Sequence, residues 1–589
     1  MKKTIEKFYP VLFWLIILVG LTIYLLKTVA FHFYYTEQSH LFIFDETYFA
    51  SMIKEIGGLS NLLANFFLQF APSFIFDAFI FAVLLTVIGI LTATALQKIT
   101  PQAHLLPFCL LPVLAFGILL TDSNWNYAGL TAFILMLIAI NIGFLIHKDY
   151  YRLIYTLIAS ILLFWWGGSI AALFVACMFL KELLFNTKKS WLWLLPIILF
   201  IIVAASSVYW SISVSMKDTF SPDAFIYNAA TKTSGVWYAW LSIFSLFLLA
   251  FLITRIKPGN IFRISSFVVQ LVIVGVLVFY GEKHFMHRDA ALYEQLDGFV
   301  RTEQWDKVIN CYTQDGHENL LCNAYLNLAL LKRGELADKL FNYPQHGIKS
   351  VYPEWDKTNI SSTMLSEIYF TTGHIALAQR MAFETNENAE GIANPRMLKR
   401  LIQTNLIYGA WTVADKYISM LEKSLYYNNW AHTQRKFIKN PSAIDKDALL
   451  GPLRRCIVKE DFQSEQKGLD FDLKQIIRQN PQHKATIDML GALYLLSKDR
   501  LAFLDMLKEF YKTTALPIIP KSYAEAIILF SRDGDATWDN FPVSAKIEKN
   551  FEFFLNELDI IQNNSSVIQN IKSDFGDTYW YYALFNNEQ

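Results

Sequence analysis

Residues 262–300 read FRISSFVVQLVIVGVLVFYGEKHFMHRDAALYEQLDGFV, and the change of composition inside this stretch decides the fold. Up to Tyr280 it is an apolar run long enough to cross a hydrocarbon core. From Glu282 onward charged residues recur every few positions, as on helices bathed in water. The same contrast divides the whole chain. Residues 1–281 hold 11 acidic and 16 basic residues, whereas residues 282–589 hold 40 and 35. A 589-residue chain with 54% hydrophobic residues and zero formal net charge therefore serves two solvents. This excludes a wholly soluble enzyme and a disordered chain, and neither half is basic enough to suggest nucleic acid as a partner.

The first apolar run, Tyr9 to about Leu26, follows Lys2, Lys3 and Lys7. It is too long for a cleaved signal and ends without a small-residue cleavage pair, so it reads as a signal-anchor helix. Further runs lie near 74–97, 104–120, 124–146, 190–210, 235–255 and 262–280. The interval 151–184 is too long for one crossing, and Gly167-Gly168 after Trp165-Trp166 predicts a tight turn between two short helices. That gives about nine crossings with a cytoplasmic N-terminus. It collects Lys98, Lys148, Arg152, Lys181, Lys188, Lys189, Arg255, Lys257 and Arg263 on the cytoplasmic side, as the positive-inside bias requires, and exports the C-terminal half.

Two outward loops, 31–73 and 211–234, are long enough to carry a site. The first opens with Phe31 to Gln38, continues through Phe44-Asp45-Glu46, and then predicts juxtamembrane helices broken at Gly57-Gly58. Around the same face fall Asp77, near the start of the second crossing, and Asp122, between the third and fourth. An acid inside hydrocarbon is costly unless it is paired or faces water, so Asp77 is either a headgroup-level residue or part of a polar cavity. Glu37, Asp45 and Glu46 read either as solvated or capping charges, or as carboxylates that activate an acceptor hydroxyl or hold a divalent cation beside a phosphate. His284-x-x-His287 offers two imidazoles without a third ligand, so the metal question stays open.

The order of one helix, then an acidic outer loop with amphipathic helices carrying Asp45-Glu46-x-Tyr48-Phe49-Ala50 and Gly57, resembles membrane glycosyltransferases of the GT-C fold. The resemblance covers about forty residues. It implies a polyprenyl-phosphate sugar donor, Asp45 or Glu46 as base or metal partner, and Glu37, Asp77 and Asp122 in support. For donor phosphate it leaves Lys217, Lys232 and Arg288. Over its whole length the chain resembles multi-pass membrane proteins of Bacteroidota with a helical-repeat C-terminal domain, which implies no function.

From about Thr302 the pattern becomes amphipathic helices of 10 to 16 residues separated by short turns. Leu365, Tyr369, Gly373 and Ala378, then Leu401, Asn405, Gly409 and Ala414, follow the spacing of a tetratricopeptide hairpin. Leu326, Leu330, Gly334 and Ala337 give a partial copy, and Leu490, Gly491, Tyr494 and Phe503 another. A generic all-helical domain is the plainer alternative. Cys311 and Cys322 flank a predicted turn closely enough for a disulfide, while Cys109 and Cys177 read as packing residues. No Walker loop, HExxH or nucleophile elbow is present.

The expectation is thus an all-α protein. Residues 1–281 form a polytopic transmembrane bundle in a bacterial inner membrane, and residues 282–589 form an exported tetratricopeptide-like α-solenoid. The expected function is transfer of a glycan from a polyprenyl-phosphate donor at the outward leaflet, with membrane lipid, the polyprenyl-linked glycan and an exported protein or envelope subunit as partners. The alternative is a non-enzymatic membrane-anchored scaffold that uses the solenoid for envelope assembly.

Overall fold

The computed structural model describes residues 2–99, 105–122, 125–185, 190–210, 219–222, 235–254, 260–285, 288–315, 319–459, 468–532, 536–561 and 568–586. Their regular secondary structure is helical, with no named strand among them. They form two compact units. One is Met1–Ala291 with the short segment Lys423–Tyr426, and the other is Leu292–Glu422 with Tyr427–Gln589. The boundary lies beyond Gly281, where composition placed it, because the last apolar helix runs on to Phe285.

The first unit opens with α1 (Lys2–Thr28), followed by three short helices, α2 (Ala30–Glu37), α3 (Glu46–Lys54) and α4 (Gly58–Leu68). Then come α5 (Phe74–Ile99), α6 (Leu110–Leu119), α7 (Ala128–Leu145), α8 (Asp149–Gly167), α9 (Ile170–Phe185), α10 (Leu194–Trp210), α11 (Gly235–Thr254) and α12 (Asn260–Phe285). Among the described residues six helices are long and apolar enough to cross a membrane: α1, α5, α7, α10, α11 and α12. The chain is a polytopic membrane protein in that sense. The run at 104–120 forms a shorter helix than expected. Pro107 opens a 3-10 turn and Pro112 sits in the first turn of α6, so regular hydrogen bonding begins late. The break at Gly167-Gly168 falls between α8 and α9, where Gly168 turns the chain at φ +69°.

Helix α7 is the hub, packing against α4, α5, α8 and α9 with Leu130, Phe133, Met136, Leu137 and Ile140 fully buried. In hydrocarbon an apolar face gains little from meeting another, so polar contacts fix the register. Asn141 of α7 donates to the Leu91 carbonyl of α5 at 2.9 Å and accepts from Thr94 Oγ1 at 2.9 Å and Lys98 Nζ at 3.1 Å. At the same end Arg152 of α8 pairs with buried Glu182 of α9 at 2.9 Å, closing the mouth of that hairpin. At the opposite end Thr131 Oγ1 donates to the Ser60 carbonyl, Ser60 Oγ to that of Trp166, and Trp165 Nε1 to that of Ile53. These bonds seat α3 and α4 on the tip of the α8–α9 hairpin.

The second unit contains α13 (Arg288–Arg301, which starts just before the boundary), α14 (Trp305–Asp315), α15 (Leu320–Arg333), α16 (Leu336–Lys339), α17 (Asn359–Thr371), α18 (Ile375–Glu387), α19 (Pro395–Tyr408), α20 (Trp411–Leu421) and α21 (Asn428–Lys439). Further helices continue to Tyr579–Phe585. From α17 to α21 each helix packs on the next. The turn glycines Gly334, Gly373 and Gly409 hold φ of +67°, +82° and +78°, so each ends its helix in a conformation where a side chain is strained. The aromatic run near the C-terminus packs back into this unit: Tyr579 N donates to Glu525 Oε2 at 2.8 Å and Trp580 Nε1 to the Glu525 carbonyl at 2.7 Å. The expected disulfide between Cys311 and Cys322 is not formed.

Candidate functional site

Sequence reading centred the outward chemistry on Asp45 and Glu46. Asp45 is the N-cap of α3, accepting from Thr47 N at 3.0 Å and Tyr48 N at 3.2 Å. The Thr47 hydroxyl also donates to it. Lys423, carried into the first unit by its short segment, pairs with the other carboxylate oxygen at 2.5 Å, and its carbonyl accepts from Phe44 N at 2.8 Å. The Lys423 ammonium and then Thr47 and Tyr48 hold the Asp45 carboxyl well below the usual carboxylate range. So held, Asp45 is a weak proton acceptor and a strong structural anchor. Glu46 follows in the first turn of α3 and is exposed.

The carboxylates that the structure brings together and buries are Glu37 and Asp77. Glu37 ends α2 and Asp77 lies in the first turn of α5; the two helices pack together, and the residues are 2% and 1% exposed. Glu37 is the charged group that acts on Asp77. Neither oxygen of Asp77 has a hydrogen-bond partner among the described residues. Burying a carboxylate without such a partner is expensive.

Aromatic packing fixes both helices. Phe33 of α2 stacks on Phe81 of α5 with centroids 4.3 Å apart, and Tyr127 closes edge-on against both, at 5.7 and 5.4 Å. His32, Gln38 and His40 are buried on the same segment, and Asn65 and Gln69 are buried on α4, which also packs on α2. Sequence reading places His32 and Gln38 only in the aromatic, polar opening of the loop and does not single out His40, Asn65 or Gln69, because each alone looks like an ordinary interfacial side chain. Lys423 was invisible to it as well, lying 378 positions from Asp45.

The remaining candidates are dispersed. Asp122 sits in the turn after α6, where its backbone carbonyl accepts from Trp125 N at 3.0 Å. Arg288 is the first residue of α13. Lys217, Lys232 and His287 lie outside the described residues. Among the described residues no three of His, Cys, Asp and Glu come together to hold a metal.

A family model described as "Family of unknown function (DUF6057)" matches residues 7–586. Neither a curated protein nor a solved structure matches the chain.

Proposed function

The chain belongs to the DUF6057 family, and on that premise we propose that it is a membrane glycosyltransferase of the bacterial cell envelope that takes its glycan from a polyprenyl-phosphate donor at the outward leaflet. The observation that carries the reading is the buried Glu37 and Asp77 carboxylates at the end of the bundle where α2 to α4 gather. In this reading the two neighbouring acids supply the carboxylate that takes the acceptor's proton. In the proposed step an acceptor hydroxyl oxygen bonds to the anomeric carbon, the bond from that carbon to the phosphate oxygen breaks, and the phosphate leaves with the electron pair. The hydroxyl proton passes to the ionised carboxylate. Asp45 orders α3, and Glu46 remains the exposed carboxylate beside it.

Orientation follows from charge. Lys98, Lys148, Arg152 and Lys181 gather at one end of the bundle and α2 to α4 at the other, which favours a cytosolic basic end in an inner membrane. In this reading α6, α8 and α9 also cross, giving nine crossings. The second unit is then a tetratricopeptide-like solenoid in the periplasm that positions the acceptor. Its turn glycines and sequentially packed helices support that assignment.

The test is transfer from polyprenyl-phosphate sugars by the intact protein in nanodiscs. Glu37→Gln and Asp77→Asn should each lower the rate on the order of a hundredfold while the fold is kept. Undiminished transfer in both variants would remove the assignment. A second reading, a non-enzymatic envelope scaffold, is favoured by the commitment of Asp45 to a helix cap and an ion pair. It expects no transfer from the unaltered protein.

A further inference from the structure

Leu425 and Tyr426 stand side by side in the turn between α20 and α21, 55% and 54% exposed, where turns ordinarily carry small or polar residues. Their segment, Lys423–Tyr426, belongs to the first unit. Two contacts fix it there: the Lys423 ammonium pairs with Asp45, and Phe44 N donates to the Lys423 carbonyl at 2.8 Å. Phe44 is exposed as well, so three large apolar side chains lie open around the N-cap of α3.

The other end of α3 gives the level of the membrane. On α8 the exposed side chains Ile158, Ile161, Leu162 and Trp165 recur every three or four positions and form an apolar stripe, the face that such a helix turns to lipid. The stripe ends at Trp165, a residue type that collects at the boundary between hydrocarbon and headgroups. Its indole N–H donates to the Ile53 carbonyl at 3.0 Å, and its carbonyl accepts from Gly57 N at 2.9 Å. Ile53 is exposed, and so is Lys54 after it. The nine residues of α3 cover about 13 Å, against a headgroup layer roughly 5–8 Å thick on each side of the hydrocarbon. A helix standing upright on Trp165 would lift Phe44, Leu425 and Tyr426 beyond the headgroups and leave all three in water. A helix lying along the layer keeps the exposed apolar side chains at both of its ends against lipid.

We propose that Leu425 and Tyr426, together with Phe44, bind the surface of the lipid bilayer, with α3 lying in the headgroup layer and the Lys423–Asp45 pair holding the loop against it. The occupant is lipid rather than protein, because the patch is joined through α3 and Ile53 to Trp165 and the lipid-facing stripe of α8. Tyrosine suits this layer, with a ring that enters the apolar boundary and a hydroxyl that reaches water or phosphate. The proposal holds for either orientation of the chain across the membrane and does not depend on the transferase reading.

The experiment places a nitroxide spin label on Leu425→Cys in the full-length protein, in phosphatidylcholine nanodiscs, with the native cysteines exchanged for serine or alanine. It reads collision rates with oxygen, which concentrates in lipid, and with a water-soluble nickel chelate. The ratio of oxygen to nickel collisions should be at least about threefold above that of the free label in water, and below that of Ile158→Cys on the α8 stripe, because the interface lies between the two environments. Tyr426→Cys should give the same result and replaces Leu425→Cys if that variant does not fold. A ratio equal to that of the free label would leave the loop in water, a ratio equal to that of Ile158→Cys would sink it into hydrocarbon, and low collision rates with both reagents would mark a protein contact. Each of these three results would overturn the proposal.

Discussion

Replacing Glu367 by glutamine removes the carboxylate that holds Arg396 and Arg400 together, and the structure sets the size of the effect. Burial alone would raise this carboxyl, yet Arg400, then Arg396 and Lys332, outweigh it and bring it down to about 2 from the ordinary 4.5. That difference corresponds to about 3 kcal/mol of stabilisation. The loss on mutation should be of the same order, because two guanidiniums are left buried beside a neutral amide. Because the folded value is depressed, the contribution is fully present above the unfolded pKa and is lost as pH falls from about 4.5 toward about 2. The assay is hydrogen exchange on the intact protein in nanodiscs, read at amides of α17 and α19. Near neutral pH Glu367→Gln should exchange about a hundredfold faster there, and the gap should narrow at about pH 3. Partial recovery is expected on adding Arg400→Gln, which removes one of the stranded cations. Exchange within about threefold of the unaltered protein at neutral pH would refute the reasoning.

Three further outcomes follow from packing and polar contacts. Asn141→Leu should lower the stability of the membrane unit by about 1–2 kcal/mol, since it removes the side-chain acceptor of Thr94 and Lys98, leaving them only the Leu91 and Asn141 carbonyls, and takes one donor from the Leu91 carbonyl; thermal unfolding in detergent measures it. Gly491→Ala should cost about 2–3 kcal/mol, because the added methyl would collide with the buried Tyr523 hydroxyl, and Tyr523→Phe should recover part of the loss in denaturant titration. Asp77→Asn should leave the melting temperature unchanged or raise it, because the native carboxylate is buried without a hydrogen-bond partner among the described residues. A fall of more than about 4 °C in scanning fluorimetry would mark Asp77 as a structural residue.

What sequence made legible was local. The Gly167-Gly168 break and the helix-ending glycines Gly334, Gly373 and Gly409 are dictated within a few residues of themselves, and the structure has a turn at each. The apolar run at 104–120 was read as a full helix because hydropathy averages over Pro107 and Pro112, which delay the start of α6. Pairings between distant segments were not legible. Nothing in the Asp45 loop points to Lys423, and Arg396 and Arg400, spaced four apart on an amphipathic helix, look like a solvated face until Asp297 and Glu367 are seen opposite them. For the same reason the acids Glu37 and Asp77 were noted separately, whereas their shared burial depends on α2 folding back against α5.

The proposed function requires the end of the bundle that carries α2 to α4 to face outward. Ile53, at the end that carries α3 and α4, and Tyr151, at the basic end, are both exposed, so each can be replaced by cysteine after the native cysteines are exchanged for serine or alanine. In intact cells whose outer membrane has been made permeable, a membrane-impermeant maleimide should label Ile53→Cys at once and Tyr151→Cys only after lysis. Labelling of Tyr151→Cys before lysis, with Ile53→Cys protected, would place Glu37 and Asp77 on the cytosolic side and contradict the proposed function.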